Sequence, residues 1–369
     1  MLRSPFIRFT LIALAVAVSQ ILAIGQTPTP KPKPTPDDEV IKVQSRLVVV
    51  PVSVTDANGQ SVLGLTAQDF RIAEENKQQT IDHLGSADVV PLEIALLFDV
   101  SASTDKMFKF EQETAAKFLR DVMRANDRAT IFTVGERGVL IQARDTAEKS
   151  MSSISSITPT KEQTAFYDAL RTAADHLKNN APAGSRKVIV IISDGEDTNS
   201  EGIIKAIWNA ERKITDDVQG ERLRDLRVKA RDSAKVAEQL KVLKSLQDAD
   251  TVFYSINPAG SSYLLNKMSV FGQQNMQRFA DETGGTAFLP KFSPVDTKDT
   301  YQNENNVRKN QELLERIFRQ LGSELRSQYL IQYYSETDFP LNKFVKLDVG
   351  VNKRPELLVR ARQGYYVKK

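Results

Sequence analysis

The chain has 369 residues, 41% hydrophobic and 26% charged, which is ample for globular cores in two or three domains. Its formal net charge is only +3, so electrostatics give no case for nucleic acid as a partner. Cysteine is absent, which excludes disulfides, thiol chemistry and a lipid-anchored cysteine behind the N-terminal apolar run.

Arg3 and Arg8 precede a mostly apolar stretch, Phe9 to Ile24, and Ala23 and Gly25 are small residues at signal-peptidase spacing. Residues 1–25 therefore read as an export signal cleaved near Gly25–Gln26, and the protein is expected in the periplasm, at the cell surface or secreted. The alternative is an uncleaved anchor holding the chain near a membrane, for which the run is short and interrupted by Ser19 and Gln20. Residues 26–39 include TPTPKPKPTPDD, whose alternating prolines predict an extended or disordered linker.

Residues 40–90 turn to strand patterns: Leu47 to Val54, the turn DANG at Asp56–Gly59, Asp69 to Glu75, and QQTIDHL. Pro51 marks an edge strand or a bulge. Four short strands are thin for an independent sandwich. Residues 327–369 offer the missing ones, at Gln328 to Tyr334, Phe344 to Val351 and Leu357 to Ala361. The expected arrangement is a small discontinuous β-sandwich built from both termini, the alternative being two separate β tails.

Between these ends, residues 91–326 alternate strand and helix, predicting an α/β fold with a doubly wound, mostly parallel sheet. Strands are expected at Ile94–Phe98, Ala129–Val134, Gly138–Gln142, Lys187–Ser193, Thr251–Ile256 and Thr286–Leu289. Helices are expected at Phe108–Met123, Thr146–Ser155, Ala165–Asn179, Ile203–Ile214, Glu221–Leu246, Asn275–Thr283 and Val307–Arg326. Residues 201–250 form a helical insertion, one long helix or a hairpin broken near Asp216–Gly220, serving as a solvated face or a partner-binding arm. Trp208, the only tryptophan, is expected to pack in a core, Tyr301–Asn306 to form a flexible loop, and Glu74–Glu75 and Glu196–Asp197 to be solvated, the latter pair bordering the Asp194 segment and able to tune a site there.

The stretch EIALLFDVSAS, Glu93 to Ser103, ends an apolar strand in Asp99, Ser101 and Ser103. Thr164 closes a polar loop before a helix, and Asp194 follows the strand VIVIIS. Ligands of open α/β sheets bind beyond the carboxyl ends of strands, where all three pieces are expected. Two carboxylates and three hydroxyls are hard donors, favouring Mg²⁺, Mn²⁺ or Ca²⁺ over zinc or copper. The plain alternative is that Asp99 caps a helix and Asp194 a turn.

DVSAS, the loop threonine and the strand-terminal aspartate resemble the metal-ion-dependent adhesion site of von Willebrand factor type A domains. TAFYDAL, SDGEDTNS, VFYSINP and FADETGGTAFLP extend that resemblance over roughly residues 91–326. The flanking segments, with LVVVPVSVTDANGQSVLGLTAQDF and RARQGYYV, look like the exported proteins of this family described from acidobacteria. The resemblance implies Asp99, Ser101, Ser103, Thr164 and Asp194 as the metal site, with Mg²⁺ ahead of Mn²⁺ and Ca²⁺. Ala102 stands where the family commonly has glycine, which removes no ligand. Neutral hydroxyl ligands leave a divalent ion under-neutralised, so it keeps an open position for an outside Asp or Glu.

Other chemistries lack their residues. Ser101 stands where a haloacid-dehalogenase-type site needs a second aspartate, no glycine-rich phosphate loop is present, and His83 and His176 form no zinc-spaced cluster. The expected function is an exported, non-enzymatic adhesion-type module that grips a carboxylate of a protein partner through its cation. The runner-up is a periplasmic scaffold with a structural metal, and a third reading, a metal-dependent hydrolase, lacks a candidate base.

Overall fold

The computed structural model describes residues 46–101, 105–160, 162–213, 219–258, 267–295 and 298–368. The expected signal and linker, Ser103, the centre of the break at Asp216–Gly220 and the loop after Pro258 lie outside them.

In chain order, the N-terminal strands are β1 (Arg46–Thr55), β2 (Phe70–Glu74), β3 (Lys77–Gln79) and β4 (His83–Ser86). The α/β part comprises β5 (Leu92–Asp99), α1 (Asp105–Val122), β6 (Arg128–Val134), β7 (Gly138–Asp145), α2 (Ala147–Ser155), α3 (Phe166–Asn180) and β8 (Arg186–Ile192). It continues through α4 (Glu201–Glu211), α5 (Gly220–Asp248), β9 (Thr251–Ile256), α6 (Lys267–Thr283), β10 (Ala287–Phe288) and α7 (Thr300–Ser327). The chain closes with β11 (Tyr329–Ser335), β12 (Phe344–Val351), β13 (Leu358–Ala361) and β14 (Gly364–Tyr366).

The central sheet runs β10-β9-β8-β5-β6-β7, parallel except for β6 with β7. β5 is central because Leu92 to Phe98 can be buried on both faces, and each of these residues except Glu93 is apolar and fully buried. Even-numbered positions Ile94, Leu96 and Phe98 face a core closed by α1 and α7, while Ala95 and Leu97 face a core closed by α3, α5 and α6.

The two ends of the chain interleave. One sheet runs β13-β1-β11-β4 and the other β14-β12-β2-β3, so each mixes N- and C-terminal strands. Val48, Val50, Val52 and Val54 of β1 meet Ile72, Val345, Leu347 and Tyr365 of the other sheet in one core, as a sandwich requires. At Pro51 the β13 ladder has not yet begun; it starts at Val52, so proline falls on an open edge of an otherwise paired strand.

Three expectations are overturned. Tyr301–Asn306 is the first turn and a half of α7, because Asn306 Nδ2 donates to the Pro294 carbonyl and Asn310 bonds both backbone groups of Ser293, which satisfies a polar helix face. Trp208 is 64% exposed: α4 has one buried residue, Ile203, and its opposite face meets solvent. Glu74 and Asp197 are buried, Glu74 because Tyr333, Tyr365 and Ser335 all donate hydroxyl protons to it.

Candidate metal centre

The site lies at the carboxyl ends of β5 and β8, neighbouring strands whose chains leave the sheet at this edge. Asp99 is the last residue of β5. Its Oδ1 accepts from the backbone N–H of Ser101 at 3.0 Å and from Ser101 Oγ at 2.5 Å, and its Oδ2 accepts from Ser193 Oγ at 2.6 Å. The first pair makes a turn that aims Ser101 back over the strand end; the second ties the ends of β5 and β8 together.

Asp194 opens the loop after β8, and its Oδ1 accepts the Glu196 N–H at 2.9 Å. Gly195 adopts φ +76°, and a Cβ on it would come within 2.8 Å of the Gly272 carbonyl oxygen on α6. Glycine at both positions lets the Asp194 loop pack directly on the helix backbone. Thr164 reaches the same loop through its main chain: its carbonyl accepts from the N–H groups of Thr198 and Asn199, and its N–H donates to Thr198 Oγ1. Its own hydroxyl makes no hydrogen bond among the described residues, although the residue is only 7% exposed. Four of the five expected residues are thus joined through one hydrogen-bonded edge. Ser103 is outside the described residues.

The electrostatics of this edge are one-sided. Burial pushes the Asp99 carboxyl above its ordinary range, against the bonds from Ser101 and Ser193 that pull it down. Burial chiefly, with the charges of Asp99 and Glu196, pushes Asp194 up to about 6. A third carboxyl, Glu111 of α1, is 4% exposed; burial first and the charge of Asp99 second push it up to about 8. Among the described residues none of the three has an ion-pair partner. Buried acids are ordinarily paired or hold a cation. A hard-oxygen donor set with uncompensated negative charge fits a divalent cation, although the described residues contain no group of three or more His, Cys, Asp or Glu side chains placed to hold a metal ion by themselves.

Sequence reasoning missed Glu111 and Ser193, and it placed Asp197 at the border of the site but as a solvated acid, whereas Asp197 is buried. Glu111 sits between Phe108 and Ala115 on the buried stripe of α1, and an acid on an apolar stripe was the available signal. Asp197 accepts from the backbone N–H groups of Tyr167 and Ser200, so it holds the Thr164 and Asp194 loops together from behind.

The fold and this edge define a doubly wound α/β domain with an acidic, hydroxyl-bearing switch point. Residues 94–196 match the sequence model of the von Willebrand factor type A domain. Similar solved structures include an aerotolerance-related membrane protein from Bacteroides fragilis, 13% identical, with 60% of this chain and 99% of that one covered and a TM-score of 0.34. The PilB minor pilin from Streptococcus sanguinis is 13% identical over 65% of this chain and 63% of its own, with a TM-score of 0.40. Proximal thread matrix protein 1 from the mussel byssus, with a zinc-occupied metal-ion-dependent adhesion site, is 10% identical over 69% and 50%, with a TM-score of 0.36. No curated protein matches the chain in sequence. Among the described residues no helix is long and apolar enough to cross a membrane.

Proposed function

We propose that this protein is an exported, non-enzymatic binding module that holds a divalent cation with Asp99, Ser101, Ser103, Thr164 and Asp194 and uses it to take an acidic group of a protein partner. The observation that carries this reading is the three carboxyls Asp99, Glu111 and Asp194, none with an ion-pair partner among the described residues, at the strand edge whose loops also carry Ser101 and Thr164. Mg²⁺ suits the donors best, being hard, small and content to retain exchangeable water. The cation supplies a positive, Lewis-acidic point to which a carboxylate can bind. Ser101 and Ser193 orient Asp99, Glu196 N–H orients Asp194, and Asp197 fixes the loops that carry Thr164 and Asp194. Residues 1–25, 26–39, 40–90, 91–326 and 327–369 serve as signal, linker, sandwich, cation-binding domain and sandwich.

Mn²⁺ as a paramagnetic probe tests this directly. Water-proton relaxation should be enhanced when the full chain binds Mn²⁺, and should fall when a short glutamate peptide displaces bound water while its glutamine counterpart leaves it unchanged. Equal effects of the two peptides would contradict carboxylate capture.

A further inference from the structure

The contacts of α5 fix its height relative to the metal edge. Lys235 Nζ lies over the Phe271 ring at 5.3 Å, Gln239 bonds Asn275 at 2.6 Å, and Arg231 Nη1 donates to Met268 Sδ at 3.7 Å. α5 and α6 therefore run side by side in the same direction, with Arg231 level with the start of α6. The Asp194 loop packs on α6 at Gly272, and Ser269 Oγ donates to Glu196, so the metal edge lies at the level of Lys235.

α5 begins eleven residues before Arg231, at Gly220, and at 1.5 Å per residue it climbs about 16 Å beyond that level. α4 climbs with it. A Cβ on Gly202 would strike the Glu238 carboxylate, while Glu211 at the far end pairs with Arg227. The two helices form an antiparallel arm rising from the edge that carries Asp194.

One stripe of α4 and its C-cap is exposed: Glu201, Lys205 and Trp208, continued by Arg212, spaced as a single helix face. Trp208 stands three residues from Lys205 and four from Arg212. Neither cation has a hydrogen-bond or ion-pair partner among the described residues, and the same holds for exposed Arg222 and Arg224 on α5. An exposed tryptophan flanked by free cations combines a large apolar anchor with attraction for acids.

We infer that the α4–α5 arm is the second half of the partner site: an acidic polypeptide segment places one carboxylate on the cation and lies along Lys205, Trp208 and Arg212. Two features select this occupant. The cations of the arm complement the charge that the metal takes, and the exposed stripe of α4 is continuous with the loop that carries Asp194. The inference rests on the metal reading of the site and adds the residues that set partner choice.

The single tryptophan makes the arm its own reporter. The full chain is titrated with a synthetic glutamate-rich dodecapeptide, in Mg²⁺ and in EDTA, while Trp208 emission is followed. A doubly reversed variant, Lys205→Glu with Arg212→Glu, is titrated with the peptide carrying fluorescein, and its Mg²⁺ affinity is measured separately by calorimetry. The expected result is a saturable emission change in Mg²⁺, weakened at least tenfold by EDTA, and at least tenfold weaker peptide binding by a variant with unchanged Mg²⁺ affinity. Binding lost in EDTA but untouched by charge reversal overturns the arm and leaves the metal reading standing. Binding weakened by charge reversal but indifferent to EDTA overturns the joint site through the metal reading. No peptide binding to wild type in Mg²⁺ overturns it outright.

Discussion

Ser193 Oγ donates to Asp99 Oδ2 at 2.6 Å, joining the carboxyl ends of two neighbouring parallel strands at the point where the chain leaves the sheet. Ser193 also accepts the Gly195 N–H at 3.0 Å, so one hydroxyl sets both the rotamer of Asp99 and the start of the Asp194 loop. Groups that orient a metal ligand commonly change affinity 10–100-fold when removed. Ser193→Ala should therefore weaken Mg²⁺ binding by about tenfold or more and cost about 1–3 kcal/mol of stability in metal-free buffer. Calorimetry and denaturant unfolding measure the two separately, and unchanged Mg²⁺ affinity would remove Ser193 from the site.

Glu111 gives the edge a pH signature. Its carboxyl titrates at about 8 in the folded chain against an ordinary 4.5, so the folded state binds more protons than the unfolded one between those values. Stability in EDTA should therefore fall as pH rises through that window and level off above pH 8. Each unit is worth about 1.4 kcal/mol, so the total is on the order of 4–5 kcal/mol. Glu111→Gln stays neutral throughout and should lose the Glu111 share of this decline, leaving the share that Asp99 and Asp194 contribute at lower pH. Parallel wild-type and variant curves from pH 5 to 9 would show that Glu111 is not held protonated.

The contact of Gly272 with the Asp194 loop predicts a selective defect. A Cβ at position 272 would lie 2.7 Å from Gly195 backbone atoms and 2.8 Å from the Asp194 carbonyl oxygen. Gly272→Ala should push the loop off α6, at a cost of about 1–3 kcal/mol, and weaken Mg²⁺ binding further than its stability loss alone explains. Wild-type Mg²⁺ affinity in a folded Gly272→Ala protein would contradict the packing described.

Glu74 anchors the sandwich. Its Oε1 accepts from the hydroxyls of Tyr333 at 2.7 Å and Tyr365 at 2.6 Å, and its Oε2 from Ser335 Oγ at 2.8 Å. Glu74→Ala leaves three donors without their acceptor and opens a cavity, so the loss should reach about 3 kcal/mol or more. Because one N-terminal acid serves three C-terminal residues, deleting residues 327–369 should unfold the N-terminal strands too, which hydrogen exchange across residues 46–86 would reveal.

Much of this architecture is legible from residues. β5, β6, β8 and β9 announce themselves as continuous apolar runs because their burial on both faces admits little else. The sandwich was inferable because neither end holds enough strands alone. What escaped follows from polar groups satisfied at a distance. α7 starts with YQNENN, whose buried Asn306 finds its partner at Pro294, twelve residues away. α6 was expected only from Asn275 because Gly272 weakens the helical pattern; the glycine is there for the approach of Gly195. Asp99, Ser101, Thr164 and Asp194 could be picked out as candidates by type and order, and the fold brings them to one edge, whereas Glu111 and Ser193 join that edge through contacts that no local motif encodes.

A cation at the ends of β5 and β8 is the centre of this account, and a calorimetric titration of the full chain with Mg²⁺, beside Asp194→Asn, tests it most directly. The account predicts one site per wild-type chain and at least a tenfold loss in a variant whose thermal unfolding remains cooperative. Absence of Mg²⁺ and Mn²⁺ binding by the folded wild type, or equal binding by both proteins, would contradict it.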